Sequence, residues 1–171
     1  TTAGSAVTQT EVTEPLGNTT TYRFNSNRYC TEIINPVGGQ TIRDYAIGTN
    51  LLNSVTDELG RKTNYSYDSN GNITSITDPA GNVTKYQYEP NFNKLSQIED
   101  AIGNITRLGY DSNGNLTTIT DPLNNTTTIT YNQYGQPLSV TDALNNTPTF
   151  EYDEYGNLIR TTDPLNNSAA M

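Results

Sequence analysis

Regularly spaced carboxylates are the residues of this chain that could do chemistry. An acidic residue or Asn recurs at Glu14, Asn35, Asp57, Asp78, Asp100, Asp121, Asp142 and Asp163, at intervals of 21, 22, 21, 22, 21, 21 and 21 residues. Paired carboxylates can share acid–base work, and oxygen-rich loops can hold a hard cation. A catalytic site, however, needs one convergent constellation. A group repeated in phase along a chain instead caps a repeated turn. The chain has no His, so no Ser–His or Cys–His pair can form. The expectation is a protein that is not an enzyme and needs no cofactor.

The stretch Asp68-Ser69-Asn70-Gly71-Asn72 looks like the opening of a calcium loop, but an EF-hand requires Gly at its sixth position and Glu at its twelfth. Here Gly is fourth, and the Gly-Gly-x-Gly-x-Asp pattern of calcium β-rolls is missing as well. No metal is expected. Asn-x-Thr triplets such as Asn72-Ile73-Thr74, Asn82-Val83-Thr84, Asn104-Ile105-Thr106 and Asn115-Leu116-Thr117 fit the glycosylation pattern. They arise automatically where a turn Asn precedes a Thr-rich strand.

What positions these groups is a repeated unit, most regular from Tyr110 to Asn125 and recurring from Tyr67 and from Tyr152. Each repeat reads as two strands. The first alternates: in Asn82 to Tyr88, Thr84, Tyr86 and Tyr88 share one face while Lys85 and Gln87 share the other. The same pair recurs as Tyr22/Phe24, Tyr65/Tyr67, Leu108/Tyr110, Ile129/Tyr131 and Phe150/Tyr152, giving one apolar-aromatic and one wet face. In the second strand Ile73 and Ile76, Leu95 and Ile98, and Leu116 and Ile119 are three apart, which strict alternation would put on opposite faces. A β-bulge that returns both to one face is expected, since the intervening Thr residues oppose helix. Cys30 takes the position of Ile73 and Leu116 and reads as a small buried hydrophobe.

Two turns join the strands. Asp78-Pro79-Ala80-Gly81 has the preferences of a type I turn. Ser69-Asn70-Gly71 and Ser112-Asn113-Gly114 supply left-handed conformations for short hairpins. Of the two 22-residue repeats, one owes its extra residue to Glu89-Pro90-Asn91-Phe92-Asn93-Lys94, where a turn tolerates insertion. Strand, turn, strand, turn makes an all-β antiparallel meander of about 21-residue hairpins. Residues 1–13 read as the end of a preceding repeat, 14–163 as seven tandem repeats and 164–171 as the start of an incomplete one.

Composition bounds the partners. At 171 residues with 32% hydrophobic content the chain is polar, but its 12 Tyr and many Thr favour strand, and a held register opposes disorder. A net charge of −9 excludes the basic footprint that nucleic acid or an anionic membrane requires. No apolar run reaches the length of a membrane span or a signal-peptide core.

The pattern Tyr-Asp-x-x-Gly-Asn-Leu-x-x-x-Thr-Asp-Pro-x-Gly-Asn-x-Thr-x-Tyr-x-Tyr resembles the YD repeat, also called the RHS repeat. The resemblance runs from about Glu14 to Asn167. It rests on the signature residues Tyr67, Asp68, Gly71, Asp78, Pro79, Gly81, Tyr88, Tyr110, Asp111, Gly114, Asp121, Pro122, Tyr131, Gly135, Tyr152, Asp153, Gly156, Asp163 and Pro164. It implies a large exported protein, of a kind that includes bacterial polymorphic toxins, components of insecticidal toxin complexes, wall-associated proteins and animal teneurins. It also implies a long sheet that curls or spirals into a shell, which in the toxins encloses a C-terminal region. The self-cleaving aspartyl motif of those toxins does not follow the Asp-Pro turns here.

Three roles are then open: an extracellular or cell-surface structural scaffold, a carbohydrate-binding or adhesive module, and the wall of a toxin-enclosing shell. The partners expected are further repeats of the same chain or identical subunits, with glycans as the alternative ligand.

Overall fold

The structure, a computed structural model, describes residues 8–171. Strand is the only regular secondary structure among them, as the polar, Thr- and Tyr-rich alternation requires. The chain forms two compact units, one ending at Thr84 and one beginning at Lys85.

The first unit holds β1 (Gln9–Thr13), β2 (Thr19–Phe24), β3 (Cys30–Ile34), β4 (Gln40–Tyr45), β5 (Leu52–Thr56), β6 (Lys62–Tyr67) and β7 (Ile73–Thr77). β8 (Val83–Tyr88) contains the boundary between the units. The second unit continues through β9 (Leu95–Glu99), β10 (Ile105–Tyr110), β11 (Leu116–Thr120), β12 (Thr126–Tyr131), β13 (Pro137–Thr141), β14 (Thr149–Tyr152), β15 (Leu158–Thr162) and β16 (Ser168–Ala170). In each unit the strands hydrogen-bond in chain order, every pairing antiparallel, and the sheet stays open.

Within a hairpin the expected bulge is present. Tyr65 faces Ile76 and Ser66 faces Ser75, but Tyr67 faces Ile73, so Thr74 is the extra residue. The slip returns Ile73 and Ile76 to the face of Tyr65 and Tyr67. Thr117 does the same in β11, where Leu108 meets Ile119 and Tyr110 meets Leu116. β6 shows the two faces plainly: Thr63, Tyr65 and Tyr67 are half-buried while Lys62, Asn64 and Ser66 are exposed. On the wet face Arg23 pairs with Glu32 at 2.6 Å and Lys85 with Glu99 at 2.8 Å.

Between hairpins the pairing is shorter. β5 and β6 pair at Ser54–Asn64, Val55–Thr63 and Thr56–Lys62, next to the Asp57 turn, and no further. β11 and β12 likewise pair only from Thr118–Thr128 to Thr120–Thr126. The strands are therefore zipped at the Asp-Pro end of each seam and part toward the Tyr-Asp end. The seam between β13 and β14 is weaker still, reduced to Ser139–Thr149, because Pro148 has no N–H to donate.

The sequence reading of Cys30 needs correction. Cys30 is only half-buried, opposite Phe24, and no hydrophobic residue among the described ones is fully buried. A single-layer sheet covers its apolar face only with neighbouring side chains, so it builds no core. β4 differs from its counterparts, with Arg43 on the apolar face opposite Val55 and Ile42 turned outward at 46% exposure.

Candidate functional site

The recurring carboxylates sit in turns, and from Asp57 to Asp163 each accepts hydrogen bonds within its turn. At Asp78 the backbone N–H of Gly81 donates to the Asp78 carbonyl at 3.0 Å, and the N–H of Asp78 donates to the Asn82 carbonyl at 2.9 Å. The Asp78 Oδ1 accepts from the N–H groups of Ala80 and Asn82 at 2.8 and 2.9 Å, and Oδ2 accepts from Asn82 Nδ2 at 2.7 Å. Pro79 fits the second position because the turn needs no donor there and its φ is preset. Asp121 with Pro122, and Asp163 with Pro164, repeat the arrangement through Asn125 and Asn167.

The Tyr-Asp turns use the same chemistry. Asp68, Asp111 and Asp153 bind Asn72, Asn115 and Asn157 through backbone and side chain in the same way. As expected from the sequence, Ser69-Asn70-Gly71 and Ser112-Asn113-Gly114 each supply a left-handed conformation. Only the glycines are left-handed, with φ of +87° at Gly71 and +82° at Gly114. Gly81, Gly135 and Gly156 share that conformation. These bonds hold the carboxyls of Asp68, Asp78, Asp111, Asp121, Asp153 and Asp163 below the usual carboxylate range, the side-chain bond from Asn being the largest cause. A carboxylate so bonded caps its turn. No group of metal-ligating side chains occurs among the described residues.

The signature tyrosines close their strands on the apolar face: Tyr67 in β6, Tyr88 in β8, Tyr110 in β10, Tyr131 in β12 and Tyr152 in β14. Hydroxyls among them reach the preceding hairpin. Tyr67 donates to the Leu52 carbonyl, Tyr110 to that of Leu95 and Tyr131 to that of Leu116, each at 2.8 Å. Those carbonyls belong to the bulge residues, at the end where the seam has parted, so the phenol satisfies an acceptor that the ladder leaves open. Burial, the largest cause, raises the phenol pKa of Tyr67 and Tyr110.

Sequence reasoning missed three things. Asn124, Asn145 and Asn166 take the left-handed position of Gly81, with φ of 65–66°, and the signal was Asn standing where Gly stands in the other turns. The second 22-residue repeat has its extra residue in the turn Ala46 to Leu51, closed by the Ala46 N–H on the Leu51 carbonyl at 2.7 Å. The third is an open groove of about 480 Å³ at the Tyr-Asp edge of the second unit, lined by residues that include Tyr134, Gln136, Tyr152, Glu154 and Tyr155. Its signal was Tyr134 and Tyr155 standing where Asn70 and Asn113 stand in other repeats.

Tandem β-hairpins of about 21 residues, with a bulge, two capped turns and an apolar-aromatic face per unit, define a β-repeat protein. The RHS Repeat family model matches residues 48–83, 67–93, 91–126 and 131–168, more than half of the sequence, and the chain belongs to the RHS repeat family. No curated protein matches it.

Similar solved structures include a crystal structure of TcdB2-TccC3-Cdc42 (18% identity, TM-score 0.71). Another is TcdB2-TccC3 without its hypervariable C-terminal region (19%, 0.69). A third is the Photorhabdus luminescens Tc holotoxin pore with a TccC3 mutation (18%, 0.70). In each case 90% of this chain aligns with 9–10% of the other, so the chain spans about a tenth of their length. At that identity the likeness is one of fold.

Proposed function

We propose that this chain is a non-enzymatic structural segment of a secreted or cell-surface β-sheet scaffold, its apolar face covered in the native assembly by further repeats or identical subunits. One observation carries the proposal: the aromatic-aliphatic face runs through the described strands, yet none of its hydrophobic residues is buried. Soluble proteins rarely leave so continuous an apolar surface in water. The carboxylates that could have done chemistry are committed to turns, which supports a role in holding shape. The fold similarity to TcdB2-TccC3 structures favours a second, narrower reading, the wall of a toxin-enclosing shell.

Hydroxyl-radical footprinting of the intact native protein tests the proposal. Tyr65, Tyr110 and Tyr131 should be protected relative to Tyr134, which is 78% exposed on the turn edge. Equal oxidation of all four would contradict the structural reading. Binding on a glycan array, abolished by substituting the face tyrosines, would favour an adhesive module instead.

A further inference from the structure

One repeat carries a cation held by aromatic rings. In the long turn from Glu89, Lys94 Nζ lies 5.7 Å from the centroid of the Phe92 ring and 5.5 Å from that of Tyr110, within cation–π range. The same ammonium donates to the Gly114 carbonyl in the turn of the next repeat. Phe92 leans over Gly114, so that a Cβ on that glycine would lie 3.2 Å from the Phe92 ring. Two rings and a carbonyl thus form a cage that the chain fills with its own lysine.

Two repeats on, the ring and glycine positions of the cage recur without the lysine. Tyr134 precedes the left-handed Gly135 as Phe92 precedes the left-handed Asn93. Tyr152 closes its strand as Tyr110 does, and Gly156 stands for Gly114. The position of Lys94 is taken by Gln136, which is shorter and neutral and donates from Nε2 to the Gly156 carbonyl at 2.8 Å. Tyr134 is 78% exposed against 41% for Phe92, and a third ring, Tyr155, stands 82% exposed at the position of Asn113. Together with Tyr152 these rings line the groove of about 480 Å³. Its lining adds two carboxylates, Asp153 and Glu154, and contains no Lys or Arg. Glu154 forms no ion pair among the described residues.

We propose that this groove binds a lysine or arginine side chain of a basic polypeptide partner. The cation sits against the Tyr134 and Tyr152 rings, where Lys94 would reach if it stood at Gln136, with Tyr155 lining the same groove and Glu154 supplying the counter-charge. Exposed aromatic faces attract a cation through the ring quadrupole. The chain's net charge of −9 draws a basic partner toward it.

Calorimetric titration of the full chain with a blocked hexapeptide of alternating Gly and Lys tests this, with the Gly–Gln counterpart as control. The lysine peptide should bind and the glutamine peptide should not. Tyr134→Ala should weaken binding at least fivefold. Gln136→Lys, which restores the internal lysine and fills the cage, should weaken it at least tenfold. Thr128→Lys, an exposed residue of β12 that adds the same charge away from the groove, should change it less than twofold. Four results would overturn the proposal: no binding of the lysine peptide at millimolar concentration, equal binding of the glutamine peptide, displacement by a neutral oligosaccharide such as cellohexaose, or equal effects of the two lysine substitutions.

Discussion

The hydroxyl of Tyr131 donates to the main-chain carbonyl of Leu116 at 2.8 Å, joining the end of one hairpin to the bulge of the hairpin before it. Main-chain pairing between β11 and β12 has already stopped at Thr118–Thr128. The phenol therefore takes the place of a ladder bond. Tyr131→Phe removes the donor and strands the carbonyl, at a cost of about 1 kcal/mol. Tyr65→Phe, whose hydroxyl bonds nothing among the described residues, should be near neutral. Urea denaturation of the two variants checks the difference.

Stability should fall at both ends of the pH range. The carboxyls of Asp57, Asp68, Asp78, Asp100, Asp111, Asp121, Asp142, Asp153 and Asp163 have lowered pKa values, chiefly through the side chain of Asn or, for Asp57, Arg61. Glu89 is lowered too, first by the Lys94 backbone N–H. A lowered folded-state pKa means the stabilisation is complete above the unfolded value of about 4. It is lost as pH falls from there through the folded values. The phenols of Tyr67 and Tyr110 are raised, so their contribution is complete below about pH 10 and is lost as pH rises through the folded values. Thermal melting from pH 2 to pH 11 should show a plateau between two declines, and Asp121→Asn should make the acid decline shallower.

Glycines of the two edges should respond differently. Gly81 has φ +87°, and a methyl group placed on its Cα would meet nothing within 4 Å, so Gly81→Ala meets backbone strain alone, about 1 kcal/mol. Gly114, at φ +82°, would also press its new methyl 3.1 Å from Lys94 Nζ and 3.2 Å from Phe92, so Gly114→Ala should cost roughly 1 kcal/mol more. Denaturation midpoints of the pair check the order. Equal costs would remove Phe92 and Lys94 from the account of that turn.

The period, the two faces and the bulge were legible in the sequence because each follows from local chemistry. Asp, Pro and Gly mark turns, Tyr-x-Tyr alternates, and Ile73 and Ile76 three apart require a slip. The partner of the Tyr131 hydroxyl was not legible, since it depends on how far the seam between two hairpins stays zipped. Neither was the merely partial burial of Cys30, which depends on what lies over the sheet. The groove was missed because Tyr134 and Tyr155 read as further tyrosines until the turn geometry set them apart from the tyrosines of the apolar face.

The central claim, that the apolar face needs a cover, is tested most directly by the oligomeric state of the purified chain in solution. Sedimentation velocity across a dilution series should show association that persists to low micromolar concentration, with Tyr65, Tyr110 and Tyr131 protected from oxidation in the associated species. A stable monomer at all concentrations, with those tyrosines freely oxidised, would contradict the account.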